Sequence, residues 1–69
     1  MTEDEARQMS YDAPVVLTCF KGGPITGRWR GYERVFSWDT RKAVVLLDNP
    51  PEGHSDYCYT NPEWVEREE

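Results

Sequence analysis

The chain has 69 residues, in which 8 Lys and Arg face 13 Asp and Glu, for a formal net charge of -5. This length excludes a second domain or a large catalytic scaffold, because it leaves room for one small core. The net acidity argues against sequence-independent binding to nucleic acid or to an anionic membrane.

The charge pattern and the cysteines also bear on location and partners. Residues 13–47 carry six basic and two acidic side chains, whereas the segments on either side are acidic. No apolar run approaches the ~20 residues of a membrane span, and the acidic start lacks the pattern of a signal peptide. Two cysteines are too few for the disulfide scaffold of a small secreted domain. We therefore expect a cytoplasmic protein outside the membrane, with a single Cys19–Cys58 bridge left open.

The first predicted element is a short helix over residues 2–10. Thr2 is placed to cap its N-terminus, and Glu5 is placed to complete a capping box with Thr2. The acidic residues of the first turn favour the same helix start. A flexible acidic tail over residues 1–12 is the alternative, because only Ala6 and Met9 give the helix an apolar side.

The pattern changes to β-strands after Pro14. Strand-forming residues predict strands over residues 15–20, 25–33, 35–38, 43–47 and 57–60. Gly and Pro clusters predict turns at 21–24 and 49–53, a hairpin turn is expected at 39–41, and residues 63–65 are expected to form a last turn or strand. Five short strands after a small helix predict a mainly β fold. Its expected form is a small five-stranded barrel, closed or half-closed, over residues 13–66, with an acidic tail at 67–69.

Three glycines, Gly23, Gly27 and Gly31, recur at every fourth residue around the second strand. A strand that curls over a small barrel cannot keep a Cβ at each inward bend, so these glycines are expected to define the fold. With Tyr32 and Glu33 they form the pattern G-x-x-x-G-x-x-x-G-Y-E, which resembles the first signature of the Sm and LSm proteins. The flanking segments extend the resemblance over residues 2–48. The resemblance implies an Sm-like, SH3-like small barrel, RNA binding, and association of subunits.

Two parts of the family pattern have no counterpart in this chain. Family members that bind uridine-rich RNA carry an Asn in the loop after the acid, whereas Glu33 is followed by RVFSWD. The second signature, Ile-Arg-Gly, would fall near residues 59–62, which read Tyr-Thr-Asn-Pro. In the family that arginine holds RNA, and the strand around the second signature pairs with a neighbouring subunit.

Arginines alternate with aromatic residues along the second predicted strand. Strict alternation would place Arg28, Arg30 and Tyr32 on one face, and Arg34 follows them. Single-stranded nucleic acid requires cations for its phosphates and aromatic rings for its bases. The candidate RNA-binding residues are therefore Arg28, Arg30, Tyr32 and Arg34. The competing interpretation is that Trp29 fills the core, together with Phe36, while the arginines are solvated or pair with the acidic ends.

The residue types give little support to catalysis or a metal site. His54, Asp56 and Cys58 alternate, but a usual structural zinc site takes four His or Cys ligands. We therefore expect no enzyme, no metal and no cofactor. The sequence instead predicts a non-catalytic binding and assembly module, which forms a homo-oligomer or docks a protein partner through a barrel edge at Tyr57 and Tyr59. The alternative is a single-stranded RNA-binding protein that uses the arginine and aromatic face.

Overall fold

The protein is mainly β with one short helix, as the sequence predicts. The computed structural model describes residues 1–34 and 40–68. The elements in chain order are helix α1 (Glu3–Gln8), strands β1 (Pro14–Leu17), β2 (Ile25–Arg34), β3 (Arg41–Leu47) and β4 (Tyr57–Thr60), a 3-10 turn (Pro62–Trp64) and strand β5 (Val65–Arg67). Among these residues, no helix is long and apolar enough to cross a membrane.

Helix α1 begins with the predicted capping box. The Glu5 amide donates to Thr2 Oγ1 at 3.2 Å, and the Thr2 amide donates to Glu5 Oε1 at 3.1 Å. These bonds satisfy two amides that the helix start would otherwise leave without partners. Ala6 is buried, so the helix rests on the sheet through a single small side chain, with Met1 and Met9 packed beside it.

The five strands form one antiparallel sheet in the order β4-β3-β2-β1-β5. Within the described residues the edge strands β4 and β5 do not pair with each other, so the sheet is open. It is nevertheless bent, because Cys58 on β4 and Val65 on β5 belong to the same core although the other three strands lie between them. The coarse prediction of a small β domain is confirmed, and closure into a barrel is not shown.

Several strand boundaries differ from the prediction: β2 runs one residue further, to Arg34, and β3 begins two residues earlier, at Arg41, within the expected hairpin turn. β1 ends at Leu17 rather than at residue 20, and the turn that follows is closed by the Gly23 amide, which donates to the Phe20 carbonyl. The predicted strand 35–38 lies outside the described residues. The fifth strand is β5, which pairs with β1 and runs to Arg67, one residue beyond the predicted domain boundary.

The core lies on the inner face of the sheet, under α1. Its buried side chains are Ala6, Val15, Leu17, Trp29, Ala43, Val45, Leu47, Cys58 and Val65. Alternation along β1 and β3 supplies most of them, because every second residue of a strand points to the same face. Trp29 is 2 % exposed and is the largest buried side chain among the described residues, which confirms that it fills the core; Phe36, expected beside it, lies outside those residues.

Two of the predicted glycines have distinct structural reasons. A Cβ at Gly27 would lie 2.7 Å from the Leu46 carbonyl oxygen and 2.7 Å from Val45 Cγ1, so β3 approaches too closely for a side chain. Gly31 has a φ of 149°, which L-residues rarely adopt, and it lies at an irregularity of β2. Their recurrence therefore reflects close packing at one position and backbone geometry at the other.

Candidate functional site

A β-bulge in β2 decides which way the predicted site residues point. Trp29 pairs with Val45, but Gly31 pairs with the adjacent Val44, so Arg30 is an extra residue in the ladder. Tyr32 is consequently opposite the buried Ala43 and packs against the core. The expected common face of Arg28, Arg30 and Tyr32 is not formed, because the extra residue reverses the alternation beyond it.

The Arg30 side chain is held by the segment that precedes β1. Its Nη2 atom lies 3.2 Å from Asp12 Oδ1, its Nη1 donates to the Tyr11 hydroxyl, and its guanidinium carbon lies 4.7 Å from the centre of the Tyr11 ring. The Arg30 Nε atom is buried and has no hydrogen-bond partner among the residues described. Arg30 therefore combines an ion pair, a cation–π contact and one unsatisfied donor in a half-buried position.

Backbone hydrogen bonds explain why Tyr11 and Asp12 meet Arg30. The Asp12 amide donates to the Trp29 carbonyl at 2.7 Å, and the Trp29 amide donates to the Ala13 carbonyl at 2.9 Å. Asp12 has a φ of 69°, a conformation that Asp tolerates better than most residues. The chain thus continues the β1–β2 pairing by one step and then turns away, which lays Tyr11 over β2.

A shallow groove of about 460 Å³ opens on the outer face of the sheet, away from the core. We call it the tyrosine–arginine groove, and its lining residues are Tyr11, Arg30, Glu33, Arg34, Val44, Tyr57 and Tyr59. Val44 is buried although it lies outside the core cluster, and its side chain forms the floor of this groove. Tyr57 and Tyr59 are 41 % and 37 % exposed and form one wall. The groove therefore combines an apolar floor with hydroxyl groups and charges of both signs.

The strand β4 forms both one side of the groove and an edge of the sheet. The Leu47 amide donates to the Asp56 carbonyl at 2.7 Å, and Cys58 pairs with Val45 in the same register. In an antiparallel ladder, alternate residues direct their amide and carbonyl groups toward the neighbouring strand. Asp56 and Cys58 therefore face β3, and the intervening Tyr57 and Tyr59 direct their backbone groups away from it.

The opposite edge, β5, is partly covered. The Thr18 amide donates to the Trp64 carbonyl and the Glu68 amide donates to the Pro14 carbonyl, so Val65 and Arg67 direct their backbone groups away from β1. The Met1 amino group donates to the Val65 carbonyl at 2.6 Å and to the Pro62 carbonyl at 3.0 Å. The start of the β5 edge is thereby engaged by the chain itself.

The structure brings together residues from both predicted sites. Arg30 and Arg34, predicted for RNA, lie in the same groove as Tyr57 and Tyr59, which were predicted for assembly. Arg28 is exposed outside the groove, where its Nη1 atom lies 3.5 Å from the Asp12 carbonyl oxygen, and Tyr32 lies on the core side. The sequence reasoning missed Tyr11 and Val44, since only the fold shows that they lie beside the arginines.

His54 and Cys58 belong to different surroundings. The His54 ring meets the Phe20 ring edge-on at 5.4 Å, whereas the Cys58 side chain enters the core. Across the described ranges, no three His, Cys, Asp or Glu residues lie close enough together to hold a metal ion.

In comparisons with known proteins, no family model, no curated protein and no solved structure matches this chain.

Proposed function

We propose that the chain is a non-catalytic, Sm-like binding and assembly module that adds a strand from a second copy, or from a protein partner, to the edge of β4. The observation that carries this proposal is the register of β4, in which Tyr57, the first residue of the strand, directs its amide away from β3 and toward the edge of the sheet. An edge of this kind is a template for strand addition. Because strand addition uses backbone groups at the edge of the sheet, it leaves the packing of the core unchanged.

The tyrosine–arginine groove would give the added strand its side-chain contacts. In strand addition the main chain supplies affinity, and pockets for alternate side chains supply specificity. Tyrosine and arginine are enriched at the centres of protein interfaces, where their apolar parts are buried and their polar ends find partners. The groove places Tyr57, Tyr59 and Arg30 around the apolar floor at Val44.

The order and bending of the elements support the Sm-like character of the proposal. A short helix precedes the first strand, the long second strand contains Gly27 and Gly31, and an apolar strand follows it. Cys58 of β4 and Val65 of β5 pack in one core, which requires the sheet to bend as it does in a half-closed barrel. Residues 59–62, at the end of β4 and just beyond it, occupy the position of the family's second signature. In that family, the strand around the second signature pairs with a neighbouring subunit.

The test is the mass of the purified protein in solution, measured by size-exclusion chromatography with light scattering. We expect a multiple of 8.1 kDa. Tyr57→Pro should reduce this to the monomer, because proline lacks the amide that faces the edge yet spares the hydrogen bonds to β3. Tyr57→Thr is the matched control, since it removes the ring but keeps the amide and a high strand propensity.

Two results would contradict self-association at β4. One is a monomer at concentrations near 1 mM, where even ~1 mM affinity gives substantial dimer. The other is an oligomer whose mass Tyr57→Pro leaves unchanged. If the protein is monomeric, the protein-partner form of the proposal predicts that Tyr57→Pro abolishes, and Tyr57→Thr retains, the capture of that partner.

RNA binding is the second candidate, and the structure favours it less. Arg30 is already paired with Asp12 and stacked on Tyr11, and Tyr32 packs on the core side. If Arg28, Arg30 and Arg34 each contacted a phosphate, the log–log salt dependence of single-strand binding would have a slope of about -2. The ratio of absorbance at 260 and 280 nm in the same chromatography run would detect nucleic acid that copurifies. A slope near zero would exclude this candidate.

A further inference from the structure

The guanidinium of Arg30 is only partly satisfied by the groups that hold it. A guanidinium binds a carboxylate most strongly through two N–H groups at once. Asp12 Oδ1 lies 3.2 Å from Arg30 Nη2, whereas the buried Nε of Arg30 finds no acceptor within residues 1–34 and 40–68. A buried N–H group without an acceptor costs free energy. Arg30 therefore gains a hydrogen bond if another carboxylate takes the place of Asp12 and reaches Nε as well.

The two side chains that hold Arg30 are loosely held themselves. Tyr11 is 72 % exposed, and the Asp12 side chain is 55 % exposed. An ion pair with so exposed a carboxylate contributes little to stability, because water solvates the carboxylate when the pair opens. The backbone of Asp12 is fixed separately, by the hydrogen bond from its amide to the Trp29 carbonyl. Both side chains can therefore turn away from Arg30 while the pairing of the chain with β2 remains.

The charge around the groove favours an anion once the Asp12 side chain has turned away. Arg30 and Arg34 line the groove, and Glu33 is the acidic residue of this lining. Arg28 is close by, because its Nη1 atom lies 3.5 Å from the Asp12 carbonyl oxygen. Three arginines then surround the opening and outnumber the single carboxylate of the lining.

We propose that the tyrosine–arginine groove binds an acidic peptide segment of a protein partner, and that one carboxylate of this segment replaces Asp12 on Arg30 by bonding to both Nη2 and Nε. An apolar side chain next to that carboxylate packs on the floor at Val44. A single carboxylate replaces Asp12 charge for charge, whereas a nucleic-acid strand brings many phosphates to a chain with a net charge of -5. The inference goes beyond strand addition, because the groove can be filled whether or not β4 gains a strand.

The test follows the Nε–Hε resonance of Arg30 by NMR while a blocked tripeptide, acetyl-Leu-Asp-Leu-amide, is added to the whole chain. We expect this resonance to move until the site is saturated, because the carboxylate gives Nε an acceptor. The matched control is acetyl-Leu-Asn-Leu-amide, which has the same shape and no charge. It should bind about tenfold more weakly, since hydrogen bonds to a charged acceptor are the stronger ones.

Three variants locate the binding on Arg30. Asp12→Asn removes the competing carboxylate and keeps a residue type that tolerates the positive φ of this position. It should tighten binding of the acidic peptide by roughly two- to fivefold, the range by which an exposed ion pair can compete. Asp48→Asn makes the same change of net charge at an exposed position outside the groove lining and should leave the affinity unchanged. Arg30→Lys should weaken binding by about tenfold, read from the amide resonances of Val44 and Tyr59.

Equal binding of the two peptides would overturn the proposal, and so would an affinity that Asp12→Asn leaves unchanged. A resonance that does not move at ~10 mM acidic peptide would also overturn it, because a site with ~10 mM affinity is half filled at that concentration. If a single-stranded oligouridylate moves the resonance and the peptide does not, the groove is an RNA site instead. The two peptides on the unaltered chain decide the question even if a variant does not fold. A monomer that binds the acidic peptide would retain this inference and contradict only self-association at β4.

Discussion

The guanidinium carbon of Arg30 lies 4.7 Å from the centre of the Tyr11 ring, and Arg30 Nη2 lies 3.2 Å from Asp12 Oδ1. These contacts tie the segment before β1 to the bulge of β2. Arg30 is thus a structural element of the groove as well as a basic residue within it, and its two roles can be separated by substitution.

Arg30→Lys should lower the free energy of unfolding by about 1 kcal/mol, since an ammonium stacks less well on a ring and cannot form the same fork of hydrogen bonds. Tyr11→Phe should cost less than Tyr11→Ala, because Phe keeps the ring under the cation and loses only the hydroxyl. Urea unfolding measures all three changes. Arg28→Lys is the control, and it should be nearly neutral because Arg28 is exposed. Equal effects at the two arginines would contradict the role given to Arg30.

Gly27→Ala should destabilise the protein by about 2 kcal/mol or more, because the new Cβ would lie 2.7 Å from a backbone oxygen of β3. The neighbouring strand must shift to accept it, and β3 carries much of the core. Gly22→Ala is the matched control, since nothing lies within 4 Å of its Cβ position. We expect it to change the unfolding free energy by ~0.5 kcal/mol at most. Chemical denaturation of the two variants distinguishes steric exclusion from a general effect of replacing glycine.

Thr2→Ala should raise the pKa of Glu5 toward its ordinary value. Hydrogen bonds from the Thr2 backbone and then from the Thr2 side chain lower that pKa, and the substitution removes only the side-chain bond. A carboxylate with a lowered pKa stabilises the fold above its unfolded-state pKa, and this stabilisation is lost as the pH falls through its folded-state pKa. NMR titration of Glu5 measures the shift. Thr2→Ser, which keeps the hydroxyl, should retain the lowered pKa, and an unchanged titration in Thr2→Ala would contradict the capping-box explanation.

Cys58 should make the protein less stable in strongly alkaline solution. Its pKa is raised from 9.0 to about 11, by burial first and by Cys19 second. Because the folded-state pKa lies above the unfolded-state one, its contribution to stability is complete below about pH 9 and is lost as the pH rises through about 11. The loss should approach ~2 kcal/mol relative to Cys58→Val, whose side chain does not titrate. Urea unfolding between pH 8 and pH 11 measures the difference, and parallel pH profiles for the two proteins would contradict it.

The fold was predictable where local chemistry decides the structure. The spacing of Thr2 and Glu5, three residues apart at the start of the helix, predicts the capping box. The apolar alternation of β3 predicts its buried face. β5 was harder to predict, because it is three residues long and has one apolar side chain, Val65. Its position depends on pairing with β1, which is distant in sequence.

The site was predictable only in part, because a single extra residue changes the phase of a strand. Up to Trp29 the alternation of β2 is regular, and the extra residue Arg30 shifts its phase, so that Tyr32 faces the core instead of the outer face. The positive φ of Gly31 accompanies this change, but a glycine in a strand indicates a bend as readily as a bulge. The meeting of Arg30 with Tyr57 and Tyr59 depends on β3 lying between their strands, which is a property of the sheet order.

The two edges of the sheet are chemically unlike, and this difference limits the symmetry of any assembly. β4 presents two tyrosines, whereas β5 and the residue after it contain Glu66, Arg67 and Glu68. Pairing of β4 with β4 is isologous and stops at a two-fold dimer, whereas pairing of β4 with β5 is heterologous and continues into a ring or a filament. The number of copies in solution would therefore reveal which edge pairs with β4. Two copies indicate pairing of β4 with β4, and a larger closed ring indicates pairing of β4 with β5.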